Sequence, residues 1–389
     1  MVKENQIFLD HCSTTPINTD VSSEMERTSA AYFANSSSTH ALGQLAVARF
    51  NKAIAKIGQL MGGYSKREVV ITSGATESNN TIIKGAYFSG MCQSFITTKV
   101  EHPSILEPLK FIEKFGAKVV YAKTDMFGKI CVESLARLLE DHPKSLVTLC
   151  YGNSELGSLF DYPKLSKCTQ KYSALLHLDI SQSLGKTQLP FLGSGEVDFL
   201  SFSGHKIYGP KNVGAFVGKC NLLKQLTPLI HGGGQQMGIR AGTFGLPLVV
   251  GLECALEFVT ENLTSHVRHY QKLSGKLQSL LIASDLRGLH FNSDVEFGLA
   301  HILNFSLKGA DATSILYQFP HIFLSSSSAC MGHKDGGESV LNGLGSPATI
   351  SKGSFRVGLG VSSTANQLEL FVNRLKEVSQ NLQPEAASI

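Results

Sequence analysis

The sequence has no block of like charge, no apolar stretch long enough to span a bilayer, no closely spaced cysteine pair and no internal repeat. Each absence excludes something. A net charge of +4, scattered along 389 residues, gives no basic stripe for nucleic acid. Residues 245–260 come nearest to a membrane span, but Glu253 and Glu257 interrupt them. The start carries Lys3, Glu4 and Asn5 where a signal peptide has its apolar segment, so no such signal is predicted. Eight cysteines without CxxC or Cys/His spacing predict no zinc site and no disulfide framework. Cys12, Cys92, Cys131, Cys150, Cys168, Cys220 and Cys254 read as reduced fillers beside apolar segments of a cytoplasmic protein.

What is present is an alternation of strand and helix from about residue 40 to 218. Phe50, Ile54, Ile57 and Met61 share one helical face. Strands are predicted over residues 68–72, 94–98, 117–122, 145–150 and 174–179, with helices between them. This pattern predicts an α/β fold with a mostly parallel sheet covered on both faces. Two amphipathic helices follow, carrying Leu248, Leu252, Ala255 and Val259, then Leu263, Val267, Tyr270, Leu277 and Leu281. They lead into a smaller α+β unit with strands at 300–307, 321–324 and 354–359. Its last helix opens on a capping box, Thr364 and Gln367. Residues 14–260 are predicted as the large domain, and 1–13 with 261–389 as the small one. The Ser- and Gly-rich stretch 325–353 is predicted as a mobile loop.

Ligands of open parallel sheets bind beyond the carboxyl ends of the strands. After strand 68–72 comes Ser73-Gly74-Ala75-Thr76, small residues opening a helix whose free N–H groups suit a phosphate. After strand 94–98 comes His102, able to stack on a flat ring or move protons. Asn153 and Ser154 follow strand 145–150. Asp179 ends an apolar strand and needs a partner there, such as a protonated pyridinium nitrogen; Gln182 lies three residues on. The apolar run 197–200 reads as a buried strand, and Lys206 follows it among Ser203, Gly204, His205 and Tyr208. A lysine in such company suits Schiff-base chemistry. Singly, each has a plainer explanation: a loop lysine, a helix cap, a structural histidine. Together they point to pyridoxal 5'-phosphate.

The stretches Asp10 to Pro16, Ser73 to Asn80, Asp179 to Ser183, Ser203 to Pro210 and Gly232 to Gln235 resemble the NifS/IscS cysteine desulfurases, within the class V aminotransferases. Selenocysteine lyases share the pattern. The resemblance covers residues 7 to about 378. It implies fold type I of the PLP-dependent transferases, with a mainly parallel seven-stranded sheet, and release of sulfur from L-cysteine to leave L-alanine and an enzyme persulfide that feeds sulfur transfer such as iron–sulfur cluster assembly. By this likeness Lys206 binds the cofactor covalently and acts as base. His102 stacks on the ring and assists proton transfers, Asp179 pairs with the ring nitrogen and Gln182 with the phenolic oxygen. Ala75, Thr76, Ser203 and His205 hold the phosphate. Thr243 reaches the phosphate of a second subunit, which implies a homodimer. Arg356 grips the substrate carboxylate, where a domain-interface ion pair is the plainer alternative. Cys330 is the nucleophile that carries sulfur to an acceptor protein.

Four stretches depart from the family pattern. Ser154 stands where a second asparagine is usual beside Asn153, near the cofactor or substrate. Ala34-Asn35-Ser36 replaces Gly-Asn-Pro, and Gln236 replaces a glutamate. His333 and Asp335, after Cys330, are similar to selenocysteine lyases. Two alternatives therefore stand beside the desulfurase: a selenocysteine lyase acting on L-selenocysteine, and a PLP-binding homodimeric scaffold with little turnover.

Overall fold

The computed structural model describes residues 6–326 and 339–382. In chain order the elements begin with β1 (Ile7–Phe8), α1 (Thr19–Ala31) and α2 (Ala41–Leu60). Strand and helix then alternate through β2 (Val69–Thr72), α3 (Ala75–Phe88), β3 (Ser94–Thr97), α4 (Pro103–Glu113), β4 (Lys118–Tyr121), α5 (Val132–Asp141), β5 (Leu146–Cys150), α6 (Tyr162–Lys171) and β6 (Leu175–Asp179), and a loop without a helix leads to β7 (Phe199–Ser203). Then come β8 (Gly214–Gly218), α7 (Cys220–Leu223), α8 (Leu246–Glu261) and α9 (Leu263–Ala283). The remainder holds β9 (Leu289–Phe291), β10 (Ile302–Leu307), α10 (Ala312–Leu316), β11 (Ile322–Phe323), β12 (Ser325–Ser326), α11 (Val340–Gly343), α12 (Ala348–Ser351), β13 (Ser354–Gly358) and α13 (Ala365–Leu382).

Seven strands form one sheet in the order β2-β8-β7-β6-β5-β3-β4, all parallel except β8. From β3 the chain passes outward to β4, then returns to β5 on the other side. The carboxyl ends of β3 and β5 thus flank a topological switch point, where such sheets bind ligands. Both faces are covered. Ile82, Ile83, Ile105 and Leu109 of α3 and α4 pack against Val70, Phe95, Phe199 and Phe216 on one side; α2, α5, α6 and α8 bury the other.

β7 begins later and runs further than its apolar residues predict, because two serines continue it. Their buried hydroxyls are satisfied, Ser201 by His177 and Asn79, and Ser203 by the N–H of Ala75. The antiparallel β8 fits beside β7 only through glycine: a Cβ on Gly214 would lie 2.4 Å from the Phe202 carbonyl and 2.7 Å from Gly74 Cα.

A second core gathers Leu303, Phe305, Phe355, Leu368, Phe371 and Leu375 around the antiparallel sheet β12-β13-β10-β9, joined by Ile7 and Leu9. β1 pairs with β11, tying the start of the chain to this unit. The predicted capping box opens α13: Thr364 N–H donates to Gln367 Oε1 at 3.0 Å and Gln367 N–H to Thr364 Oγ1 at 3.3 Å. Within the stretch predicted as a loop, β12, α11 and α12 are formed. They are two to four residues long, too short to show periodicity.

At the sheet edge, Gln236 pairs with Ile71 as a further strand would. Its Oε1 accepts from Ile71 N at 2.6 Å and its Nε2 donates to the Ile71 carbonyl at 2.9 Å. Gln236 and Met237 adopt left-handed backbone, φ 49° and 62°, to reach it. A glutamate has no donor for that carbonyl. Gln236→Glu is therefore expected to lower stability by about 1–3 kcal/mol, as a denaturant midpoint shift; an unchanged midpoint would show that this amide carries no such role.

Candidate active site

Lys206 lies in the single turn Gly204–Lys206 that ends β7. Just beyond it Tyr208 takes φ 66°, an uncommon conformation for a bulky residue, held by Tyr208 N–H donating to Thr15 Oγ1 at 2.7 Å. This turn aims the lysine back toward the sheet edge. Its Nζ donates to the carbonyls of Cys12 and Ser13, the latter at 2.8 Å, and Gln182 Nε2 donates to the same Cys12 carbonyl at 2.9 Å. Burial pulls the Lys206 amine down to about 8, against the carboxylates of Asp10 and Asp179 and with help from Arg356. A neutral amine is the nucleophilic form. Protein stripped of any cofactor should therefore load pyridoxal phosphate about tenfold faster per pH unit up to about 8, then level off; a climb continuing toward pH 10 would contradict this.

Asp179 ends β6, buried, and accepts from Asn79 Nδ2 at 2.7 Å and Ser181 N–H at 2.9 Å. His102 caps α4, its Nδ1 accepting from Ser104 N–H at 3.1 Å. Desolvation by the protein packed against the ring lowers its pKa. Beside it Glu101 is buried between Thr98 Oγ1, at 2.7 Å, and Cys150 N–H, at 2.6 Å, and burial raises it to about 7.

The first turn of α3 has no side-chain cap; Gly74 holds the N-cap position. Ala75 N–H donates to Ser203 Oγ at 2.7 Å. Thr76 stands next on the same turn. His205 Nδ1 is 3.2 Å from Thr14 Oγ1, and burial with nearby Lys206, Lys211 and Lys186 lowers it to about 4, leaving it neutral. An uncapped helix start beside a serine hydroxyl has the chemistry of an anion cradle.

Arg356, on β13, reaches across from the second sheet and is only 4% exposed. It bonds Glu155 Oε1 at 2.7 Å, the Ser154 carbonyl at 3.1 Å, Asp10 Oδ1 at 3.0 Å and Ser13 Oγ at 2.7 Å. The ion pairs weighed from sequence as the plainer alternative are thus formed, and Ser13, whose carbonyl accepts from Lys206, sets Arg356 beside that lysine. Asn153 ties its own loop to the one after β3: Nδ2 donates to the Val100 carbonyl, and Oδ1 accepts from Glu155 N–H and Leu156 N–H, each at 2.9 Å.

Thr243 stands apart. It is exposed before α8 and lines a groove of about 360 Å³ with Tyr32, Phe33, Phe50 and Phe244. Cys330, with His333 and Asp335, lies outside the described residues. The sequence reading missed Asn79, Ser104, Asp10 and Glu155, which hold the named residues in place. It also missed Lys186, buried with no hydrogen-bond partner for Nζ among the described residues and lowered to about 7 by burial. Its position soon after Asp179 and Gln182, beyond a strand end, was the available signal.

Residues 7–371 match the aminotransferase class-V family. The chain is 32% identical over 382 residues to a protein of Encephalitozoon cuniculi named mitosomal cysteine desulfurase, covering 97% of this chain and 87% of that one. It is 31% identical over 376 residues to cysteine desulfurase IscS of Klebsiella pneumoniae, covering 95% and 92%. A solved structure described as a NifS-like protein superposes with a TM-score of 0.87 at 30% identity, covering 96% of this chain and 99% of that one.

Proposed function

The chain belongs to the aminotransferase class-V family, as a NifS/IscS-like member with the type I fold of PLP-dependent transferases, and we propose that it removes sulfur from L-cysteine to leave L-alanine. The observation that carries this is the meeting of Lys206, Asp179, His102 and the uncapped start of α3 at one sheet edge. These residues fit pyridoxal 5'-phosphate. Lys206 offers a lowered amine for the aldehyde, buried Asp179 suits a protonated ring nitrogen, and the α3 turn with Thr76, Ser203 and neutral His205 suits the phosphate. Gln182 shares an acceptor with Lys206, so its amide suits the neighbouring phenolic oxygen.

When bound, this cofactor withdraws electrons from the amino acid joined to it, which eases loss of the Cα proton. Lys206 is the base placed to take that proton. Arg356 receives the substrate carboxylate by yielding contacts now made to Asp10 and Glu155, and Asn153 and Ser154 shape the loop beside it. The Cys330 thiolate forms a bond to the substrate sulfur as the carbon–sulfur bond breaks. The electron pair of that bond stays with the carbon, which takes up a proton as alanine forms, and the outer sulfur of the Cys330 persulfide then passes to an acceptor protein, restoring the thiolate. Thr243, on an exposed rim, suits contact with the phosphate of a second copy in a homodimer. No helix among the described residues is long and apolar enough to cross a membrane. We assign the protein to the cytoplasm, on cysteines without metal or disulfide spacing.

Alanine release from cysteine and from selenocysteine by the purified protein tests this reading. Alanine from cysteine is expected. Alanine from selenocysteine alone would make it a selenocysteine lyase, and alanine from neither would make it a PLP-binding scaffold.

A further inference from the structure

The hydrogen bonds behind His102 run in one direction, set by atoms with no choice of role. Asp179 presents a carboxylate, which accepts. The nitrogen of the Asn79 amide must face it, at 2.7 Å, because the amide oxygen there would meet a second acceptor. The other hydrogen of that nitrogen goes to Ser104 Oγ at 2.9 Å. Asn79 Oδ1 then accepts from Ser201 Oγ at 2.5 Å. Ser201, its proton so placed, accepts from His177 Nε2 at 3.0 Å, and His177 Nδ1 accepts from Thr148 Oγ1 at 2.8 Å. On the other side, Ser104 N–H, a backbone donor with no choice of role, points at His102 Nδ1 from 3.1 Å, so that nitrogen accepts. Ser104 Oγ, which takes the Asn79 hydrogen, lies 2.7 Å from the same accepting nitrogen and so turns its own proton toward it. The single proton of a neutral ring then sits on Nε2.

We propose that resting His102 is held as the Nε2–H tautomer, a hydrogen-bond donor through Nε2, and that Asn79, Ser104, Ser201 and His177 are positioning residues tying that tautomer to Asp179. The role of His102 over a cofactor rests on the function proposed above; its tautomer is a property of this chain alone. All members of the chain are buried except His102, at its mouth. To take a proton, His102 would have to gain one on Nδ1, losing the Ser104 N–H contact and turning the Ser104 hydroxyl against its neighbour. Partly satisfied buried networks are costly, so the order is cooperative. The charged groups around the ring are Asp179 from β6, Lys206 beyond β7, Arg356 from β13 and Glu101, its chain neighbour. Desolvation by the protein packed against the ring already favours its neutral form, against Asp179 and with Lys206 and Arg356. Desolvation cannot choose between the two neutral forms; the chain does.

Long-range proton–nitrogen correlation spectra of the holoprotein with ¹⁵N-labelled histidine read this directly. His102→Gln identifies the His102 signals by their loss. At pH 7, Nδ1 of His102 should resonate as an unprotonated nitrogen and Nε2 as a protonated one, and His177 should show the same form. An Nδ1–H ring, or a doubly protonated one, would overturn the proposal. Ser104→Ala removes one donor to the neutral form and should raise the His102 titration midpoint by about one pH unit; a ring titrating no higher than in the wild type would remove Ser104 from the role. Alanine release measured in parallel keeps the two readings separate. An inactive protein with an Nε2–H ring retires the desulfurase and leaves this inference standing, and an active protein with an Nδ1–H ring does the reverse.

Discussion

Replacing Lys206 with alanine should abolish steady-state alanine release, a loss of about a thousandfold or more. One amine serves twice in this site, as the group that joins the cofactor aldehyde and as the base beside the substrate. Among the described residues no other amine is placed to take over. Lys186 is close enough to influence Lys206 electrostatically, but it is buried and hydrogen-bonds neither the Cys12 nor the Ser13 carbonyl that Lys206 engages. The noncovalent contacts survive the substitution: Asp179 remains at the end of β6, and the turn of α3 remains uncapped. The variant should therefore still take up pyridoxal phosphate while showing the absorbance of the free aldehyde. Unaffected turnover would remove Lys206 from the mechanism.

Cys330→Ala should separate binding from sulfur chemistry. The variant is expected to keep the yellow colour of the loaded protein and to lose desulfuration by about a hundredfold or more, because the thiolate that receives sulfur is gone while the cofactor contacts are untouched. The described cysteine nearest to Lys206 is no substitute. Cys12 lends its carbonyl to that lysine, but its thiol is buried and burial raises its pKa, so little thiolate forms. Retained turnover in Cys330→Ala would reject it as the sulfur carrier.

Much of this site was legible because its residues punctuate strands. The apolar runs ending at Asp179 and before Lys206 are visible in sequence, and parallel topology brings their ends to one edge. The strand positions follow from the same alternation, and the capping box of α13 from its spacing. What supports the site was not legible. Asp10 and Arg356 are 346 positions apart and meet only because β13 returns beside the start of the chain. Ser104, Ser201 and His177 are single polar residues in largely apolar segments, Asn79 is one of a polar run, and no period marks any of them as a buried partner. β8 carries no signal of its antiparallel place between β2 and β7; that depends on Gly214, whose missing side chain lets two backbones approach. The edge role of Gln236 rests on two left-handed residues that composition does not announce.

The most direct test is to reduce the purified protein with borohydride and map its peptides by mass. The prediction is a pyridoxyl phosphate group on Lys206 alone. The same group on Lys186, or on no lysine at all, would contradict the assignment on which the proposed chemistry stands.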